Sequence, residues 1–437
     1  MVEPMALPAA SGKSARSEKI AFKSARQEGN LVKFTLAPIN VSYANTLRRI
    51  ILTGVESIAF RSDMISTGSK AGTTTDVVVI KNDTPMTNEM LADRIGLLPI
   101  NISNPLEWNF DNYEFILDVE GSTDKITYVT AGDFIIKETD GASITTHDKS
   151  KTAEIFPPSS ITGDTPLIAI LQPSTPPQKI HITAKASIGT GREHARFSTV
   201  SQCSYEYSLD PNPDRIEEMF TTWLAVAKKI SSIDKESQEY LKLQREFNTM
   251  QIKRCYLMDE KQQPYSFDFT LESVGTLNID YIVKRACEVA ENMCSAFVHI
   301  DNGDLPENVI MSAANSQIVG FDFLVKRHDH TLGNLLQTWL VENHIEGGAQ
   351  PQIRYAGYSV PHPLRDEMIL RIGVDDGKSS TARKAFAVAA AGCGTMFRDL
   401  RVAWENKDRQ SGGAKNILRR GLANAMNMIE KVTVTKI

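Results

Sequence analysis

The chain has 437 residues, of which 41% are apolar and 23% charged, and its formal net charge is −5. This length suits two to four domains, and the composition is that of an ordinary soluble globular protein. The negative charge argues against a general nucleic-acid coat, which would be basic. No run of 18 apolar residues occurs, so the sequence predicts no membrane-spanning helix.

The five cysteines are scattered along the chain, and no CxxC spacing occurs. The sequence therefore predicts neither a disulfide framework nor a cysteine zinc site. Reduced thiols in an intracellular compartment are the natural interpretation.

The chain opens with residues 1–29, which are rich in Ala, Ser, Lys and Arg and lack an apolar period. They predict a flexible N-terminal arm. Residues 30–40 alternate as a half-buried strand does, and a turn centred on Asn45 is expected to lead into a short amphipathic helix. Arg48 and Arg49 point away from the apolar face of that helix, where a solvated surface is the simplest interpretation.

A second short helix is predicted with Thr84 as N-cap and Pro85 at its first position, and it carries Arg94. Residues 102–261 change character to short strands and polar turns, which predicts a separate β-rich domain. Within this region, residues 213–248 form a helical segment with an apolar stripe.

Two long helices, predicted at residues 278–298 and 380–404, carry extended apolar stripes. Fully burying one large apolar side chain stabilises a protein by roughly 1.5–3 kcal/mol. We therefore expect these two helices to pack on each other. The predicted contact residues are Ile282, Ala286, Val289, Met293 and Phe297 in the first helix, and Phe386, Ala389, Cys393, Met396, Phe397 and Leu400 in the second.

A repeat relates the two ends of the chain, because one strand–turn–helix plan returns 289 positions later without a gap. This spacing is too long for a solenoid and indicates two related domains in one polypeptide, which could pack as the halves of a dimer. The matching pairs are Phe34 with Phe323, Leu36 with Val325, Ala44 with Gly333, Asn45 with Asn334, Leu47 with Leu336, and Ile51 with Leu340.

Reactive groups are sparse. His328, Asp329 and His330 are the densest candidate, and histidines two apart could ligate a metal from a strand. No further ligand completes a set, so helix capping by Asp329 or Thr331 is the preferred interpretation. Residues 189–194 begin like a dinucleotide fingerprint but lack its third glycine and a convincing helix after it, and no P-loop or hydrolase motif appears. We therefore predict no catalytic residues, no cofactor and no metal.

Several strings resemble a known family. NTLRRIILTGVESIAF and RIGLLPI resemble the alpha-like subunit of cellular RNA polymerases, of the archaeal D or eukaryotic third-largest-subunit type. HTLGN and AGYSVPHPL closely resemble its small L-type partner. The two are normally separate chains, and their joining here resembles the polymerases of nucleocytoplasmic large DNA viruses.

The resemblance implies an α+β fold with two alpha-like dimerisation domains paired within one chain and a β-rich domain inserted in the first. The implied organisation is a D-like domain at 30–101 plus 262–300, an insert at 102–261, a linker at 301–316, an L-like domain at 317–405 and a basic tail at 406–437.

The resemblance also implies a non-catalytic subunit that nucleates assembly of a DNA-directed RNA polymerase. It would hold the two large catalytic subunits, meet small polymerase subunits, and touch DNA and RNA only through the complex. Arg48 and Arg49 become candidate contacts to a large subunit, with Arg94 near the same surface. Asn45 and Asn334 would fix equivalent turns.

Some relatives bind zinc or an iron–sulfur cluster through clustered cysteines in the inserted domain, but the scattered cysteines here predict no metal. A polymerase subunit of this kind is expected in the host cytoplasm and the virion if viral, and otherwise in the nucleus. Two alternatives remain: a nucleic-acid adaptor that uses the basic tail, and an enzyme built on His328–His330.

Overall fold

The computed structural model describes residues 19–63, 74–141, 143–230, 232–315 and 317–406. Residues 407–437 of the predicted basic tail lie outside the described residues. The chain divides into two units. The first contains the described residues up to Arg49, Cys203–Leu271 and the described residues from Val283 onward. The second contains Ile50–Gln202 and Glu272–Ile282.

The described strands, in chain order, are β1 (Ala21–Glu28), β2 (Leu31–Ala37), β3 (Glu56–Ala59), β4 (Val77–Asn82), β5 (Tyr113–Glu120), β6 (Thr127–Thr130), β7 (Ile135–Asp140), β8 (Ser143–Thr146), β9 (Leu167–Leu171), β10 (Lys179–Ala184), β11 (Ser187–Thr190), β12 (Val200–Tyr207), β13 (Phe267–Ser273), β14 (Val309–Ala313), β15 (Gly320–Lys326), β16 (Tyr355–Ser359) and β17 (Glu367–Gly373). The described α-helices are α1 (Val41–Thr53), α2 (Asn88–Gly96), α3 (Lys149–Ile155), α4 (Pro213–Trp223), α5 (Gln238–Met250), α6 (Ile279–Ser295), α7 (His330–Leu340) and α8 (Ser379–Glu405).

Two four-stranded sheets follow the same plan, with the orders β1-β2-β13-β12 and β14-β15-β17-β16. In each sheet the second strand leads into a short helix, α1 or α7, and the third strand leads into a long one, α6 or α8. Phe34 in β2 and Phe323 in β15 are both buried. The 289-residue offset carries the bounds of β2 onto those of β15, so the repeat predicted from sequence is present as matching strands and helices.

Edge strands account for two differences from the prediction. Residues 21–28, predicted as part of a flexible arm, form β1 and pair with β2. Residues 309–313, predicted as linker, form β14 and pair with β15. Each edge strand buries few side chains, and Phe22 is the buried apolar residue of β1. An alternating pattern could not reveal such strands.

The second unit holds a five-stranded sheet in the order β4-β10-β5-β7-β8 and two strand pairs, β11-β3 and β6-β9. Its core includes a group of phenylalanines, in which Phe60 lies 5.1 Å from Phe115 and 6.1 Å from Phe134 between ring centroids. The N-cap prediction for α2 was wrong, because Thr87 caps the helix by accepting the N–H of Met90 at 3.3 Å. Thr84 instead bonds back to Asn82.

The two units divide the chain differently from the predicted domains, whose boundaries stay a prediction. Strand β4 and helix α2, assigned to the D-like domain, belong to the second unit, whose strands and helices share one core. Helices α4 and α5, assigned to the β-rich insert, belong to the first unit. They form their own small core around Phe220, Trp223 and Phe247. Their apolar stripes pack on each other, so sequence position alone did not show which sheet they accompany.

Among the described residues, no helix combines the length and the apolar character needed to cross a bilayer.

Candidate functional site

The long helices α6 and α8 pack against each other within the first unit. Gly394 of α8 lies so close to α6 that a Cβ atom there would be 3.8 Å from the Cβ of Cys294. Phe386 stacks on Phe297, which follows α6, with ring centroids 5.4 Å apart. Close approach at a glycine and stacking of two buried aromatic rings are features of a well-packed helix interface.

The predicted contact residues are mostly buried. The fully or nearly buried ones are Ile282, Ala286, Phe297, Phe386, Ala389, Cys393, Met396, Phe397 and Leu400. Val289 and Met293 are only half-buried, while Cys287, Ala290 and Cys294 are buried. The buried face of α6 is therefore rotated toward these smaller residues. Their small size was the available signal, since it permits close helix approach.

Ion pairs flank this interface. Glu288 accepts hydrogen bonds from Arg285 and Arg401, each at 3.0 Å, and Arg398 pairs with Glu291 at 2.7 Å. Burial raises the pKa of the Glu288 carboxyl, but the hydrogen bonds from the two arginines outweigh burial and hold that pKa below its ordinary value. Arg401 and Arg398 of α8 thus pair with Glu288 and Glu291 of α6 across the interface.

The short helices α1 and α7 also contact each other, and they do so reciprocally. The Arg49 Nε donates to Thr331 Oγ1 at 2.8 Å, and Thr338 Oγ1 donates to Ser42 Oγ at 2.9 Å. The 289-residue offset relates Ser42 to Thr331 and Arg49 to Thr338. Each helix thus uses the same two positions, as the subunits of an isologous dimer do.

Further polar contacts surround this helix crossing. Arg49 also pairs with Asp329 at 3.4 Å, and 38% of its side chain remains exposed. Asn40 Nδ2 and Tyr43 Oη each donate to the Glu342 carboxylate at 2.7 Å. Part of the Arg49 side chain therefore serves an internal contact, while the rest stays accessible.

The predicted role of Asn45 and Asn334 as turn residues was wrong. Both lie inside helices, in α1 and α7. The actual turns are fixed by Asn40, which accepts the Ser42 N–H at 2.8 Å, and by Asp329, which accepts the Thr331 N–H at 2.8 Å. Asp329 is thus the helix cap that the sequence suggested. The Asn45 side chain instead accepts a hydrogen bond from an arginine one turn later.

That arginine is Arg48, whose Nε donates to Asn45 Oδ1 at 3.0 Å. Both residues line a surface groove of about 550 Å³ beside strand β12. The other lining residues are Cys203, Ser204, Tyr205, Glu206 and Tyr207. The groove carries a guanidinium group next to tyrosine rings and strand backbone, which suits recognition of a polypeptide.

Arg94 lies on α2 in the second unit and is exposed. Its Nε and Nη2 donate to the backbone oxygen of Leu167 at 3.3 and 3.1 Å. That Arg94 shares a surface with Arg48 and Arg49 stays a prediction.

The His328–His330 segment serves helix geometry. Asp329 caps α7, and the His330 Nδ1 lies 3.3 Å from the Tyr358 hydroxyl. In the part of the chain that the structure describes, no group of three or more His, Cys, Asp or Glu side chains is arranged to hold a metal ion. Burial raises the pKa of the Cys203 and Cys287 thiols to about 12, so neither is a ready nucleophile.

Each copy of the repeat matches a model of a known protein family. A family model described as the RNA polymerase Rpb3/Rpb11 dimerisation domain matches residues 33–294, and a second model of the same description matches residues 321–403. The two matches contain the two copies of the repeat, from β2 to α6 and from β15 to α8.

Relatives were found in archaea and eukaryotes. DNA-directed RNA polymerase subunit Rpo3 of Pyrococcus horikoshii is 23% identical over 297 residues, covering 64% of this chain and 97% of the relative. The subunit RPAC1 of human DNA-directed RNA polymerases I and III is 24% identical over 305 residues, covering 62% and 81%. Since the first family match spans more than half of its length, the chain belongs to the RNA polymerase Rpb3/Rpb11 dimerisation-domain family.

Proposed function

We propose that this chain is a non-catalytic assembly-platform subunit of a DNA-dependent RNA polymerase. It pairs internally and holds the two large catalytic subunits. The observation that carries the proposal is the reciprocal contact of Ser42 and Arg49 with Thr338 and Thr331. A contact of this kind ordinarily joins two subunits, and here both partners belong to one chain.

Two features support intramolecular pairing as the functional state. The α6–α8 interface buries large apolar side chains such as Phe386 and Phe397, which would be costly to expose. The two family matches cover both sides of the contact. In this proposal the β-rich second unit is an insertion in the first of the two paired domains.

The large subunits would dock on a surface that includes Arg48 and Arg49, and small polymerase subunits would complete the hetero-oligomer. DNA and RNA would meet this chain only through the complex. Both arginines are half-buried. Arginine side chains held in this way are common anchors at protein interfaces.

Charge reversal tests this proposal. Arg48→Glu combined with Arg49→Glu should reduce co-purification of the large subunits with the tagged chain, while the chain still folds. Arg245→Glu, at an exposed position of α5, is the matched control and should leave co-purification unchanged. Equal recovery of the large subunits from both variants would remove the proposal.

We further propose that the joined chain belongs to a large DNA virus and acts in the host cytoplasm and the virion. The support is the presence of two family matches in one polypeptide. Detection of the chain in purified virions tests this, and confinement to host nuclei would contradict it.

A nucleic-acid adaptor role would depend on residues 407–437, and deleting them while following salt-dependent binding would test it.

A further inference from the structure

The two sheets of the first unit end differently, although they share one plan. Strand β12 is at the edge of the first sheet, and β16 is at the corresponding edge of the second. At the β16 edge the backbone N–H of Tyr358 donates to Gln337 Oε1 of α7 at 3.0 Å. A side chain that occupies an edge N–H blocks the pairing of a further strand.

Arg48 stands where Gln337 stands in the second copy, since the two are 289 positions apart. A glutamine side chain has an oxygen that accepts a backbone N–H, whereas a guanidinium has donors alone. Arg48 therefore cannot close the β12 edge as Gln337 closes the β16 edge. Among the described residues, its hydrogen-bond partner is Asn45, which engages Nε and leaves the two Nη groups to the groove.

Tyr205 is the counterpart of Tyr358 in this comparison. The Tyr205 ring lies 5.3 Å from Phe269, which stacks on Phe34 at 5.1 Å. Tyr358 lies at the matching place in the second sheet. It pairs with Leu370, and Leu370 pairs with Phe323, which is the counterpart of Phe34.

The hydrogen bond of Ser208, the residue after β12, shows which N–H groups of the strand point toward β13. The N–H of Ser208 donates to the oxygen of Ser266, toward β13, at 3.0 Å. Peptide groups alternate in direction along a strand. The N–H groups of Tyr205 and Tyr207 therefore point away from β13, toward the groove that the two residues line.

We propose that the β12 edge receives an extended segment of another polymerase subunit as a fifth strand of the first sheet, with an acidic side chain of that segment bound to Arg48. This inference rests on the proposed function and names how one partner binds. Strand addition supplies affinity through main-chain hydrogen bonds and specificity through alternate side chains.

The groove restricts the chemistry of this segment. Alternate residues of the added strand face Tyr205 and Tyr207, so apolar or aromatic side chains suit those positions. A carboxylate satisfies the Nη donors of Arg48 with charge-assisted hydrogen bonds. Glu206 also lines the groove, but its carboxylate pairs with Lys253 at 2.8 Å, so it competes little with the carboxylate of the added segment for Arg48.

Hydrogen–deuterium exchange at single-amide resolution tests the inference on the purified polymerase and on the full chain alone. The amides of Tyr205 and Tyr207 should exchange at least about tenfold more slowly in the polymerase, as expected for a newly formed hydrogen bond. The amide of Glu206, directed at β13, should change little. Cross-linking with mass spectrometry at Tyr207 should capture a peptide of another subunit that contains Asp or Glu.

Two variants sharpen this test. Arg48→Gln installs the closing side chain of the second copy, so the Tyr205 amide should slow in the free chain and the gain on assembly should shrink. Gln337→Arg should speed exchange at Tyr358 and leave β12 unchanged.

The outcomes separate this inference from the proposed function. A polymerase that contains the chain but leaves Tyr205 and Tyr207 unprotected overturns strand addition and leaves the proposed function standing. Concentration-dependent protection in the free chain identifies a second copy as the occupant and also overturns it. A chain that joins no polymerase overturns both.

Discussion

The two copies of the strand–helix repeat share one pattern of burial but carry different polar side chains at the end of the compared helix segment. From Tyr43 to Arg49, and from Leu332 to Thr338, buried and half-buried positions follow one another in the same order in α1 and α7. At two of the half-buried positions the side chains nevertheless differ: Arg48 and Arg49 in one copy, Gln337 and Thr338 in the other. Packing on a sheet restrains the buried positions of both helices equally.

This difference indicates that the copies have separate tasks. In the second copy, Gln337 and Thr338 make internal hydrogen bonds, to Tyr358 and Ser42. In the first copy the same positions carry two guanidinium groups, and 38% of the Arg49 side chain is exposed. Arg49 also has internal partners, Thr331 and Asp329, but a partly exposed guanidinium can bind a partner protein as well. We therefore expect the two surfaces to contact different proteins.

Of the substitutions considered, Phe386→Ala should lower the free energy of unfolding most. Phe386 is fully buried between Phe297 and Phe323, at ring distances of 5.4 and 5.3 Å. Truncating such a residue costs about 3–5 kcal/mol of unfolding free energy, because a cavity remains. The midpoint of urea unfolding should fall accordingly. Val402→Ala, at a position 46% exposed, is the control and should shift it little; similar shifts for the two variants would contradict the packing described.

Alanine substitution at two glycines of α8 should change the stability of the chain in opposite directions. A Cβ at Gly392 would overlap the indole of Trp339, whereas a Cβ at Gly394 would meet Cys294 and Glu291 at an ordinary 3.8 Å. Gly392→Ala should therefore destabilise by about 1–3 kcal/mol through overpacking. Gly394→Ala should stabilise by about 0.5–1 kcal/mol, because alanine favours a helix. Thermal unfolding of the two variants measures both. Destabilisation by Gly394→Ala would contradict the packing of α8 on α6, and stabilisation by Gly392→Ala would contradict its packing on α7.

The ion pairs that flank the α6–α8 interface predict that the free energy of unfolding depends on pH. The pKa of Glu288 is held below its ordinary 4.5 in the folded chain, so its contribution is present above that value and is lost as the pH falls through the lower folded pKa. Glu288→Gln should cost about 1 kcal/mol or less near neutral pH, because the pair is partly exposed. The difference from the original chain should vanish in acid; a difference that grows below pH 4.5 would contradict this sign.

The smallest effects are expected at the reciprocal contact of α1 and α7. Double-mutant cycles that pair Arg49→Ala with Thr331→Ala, and Ser42→Ala with Thr338→Ala, should each give a coupling energy of about 0.5–1 kcal/mol. Similar values in the two cycles would support the two-fold relation of the contact. Coupling in one cycle and none in the other would show that the relation is only approximate.

The sequence predicted the central elements better than the edges. Strand β2 and helices α6 and α8 were found within a few residues, because each repeats an apolar period over its full length. Strands β1 and β14 were missed, because an edge strand needs few buried side chains. The unit to which β4 and α2 belong was also missed, since their apolar residues could serve either core until the pairing of β4 with β10 is known.

The candidate site was likewise predicted only in part. The pairing of two long helices could be inferred from their apolar stripes, but half-buried Val289 and Met293 were preferred over buried Cys287 and Cys294 because large side chains dominate a stripe. The roles of Asn40 and Gln337 were not predicted. Their hydrogen bonds to backbone and side-chain atoms depend on contacts that no single helical period encodes.

The central claim is that one polypeptide supplies both halves of a polymerase assembly platform. Native mass spectrometry of the polymerase purified through this chain tests it most directly. One copy of the chain, together with two large subunits and without a separate small dimerisation partner, is the predicted composition. Two copies of the chain, or one copy accompanied by a separate partner of the small type, would contradict it.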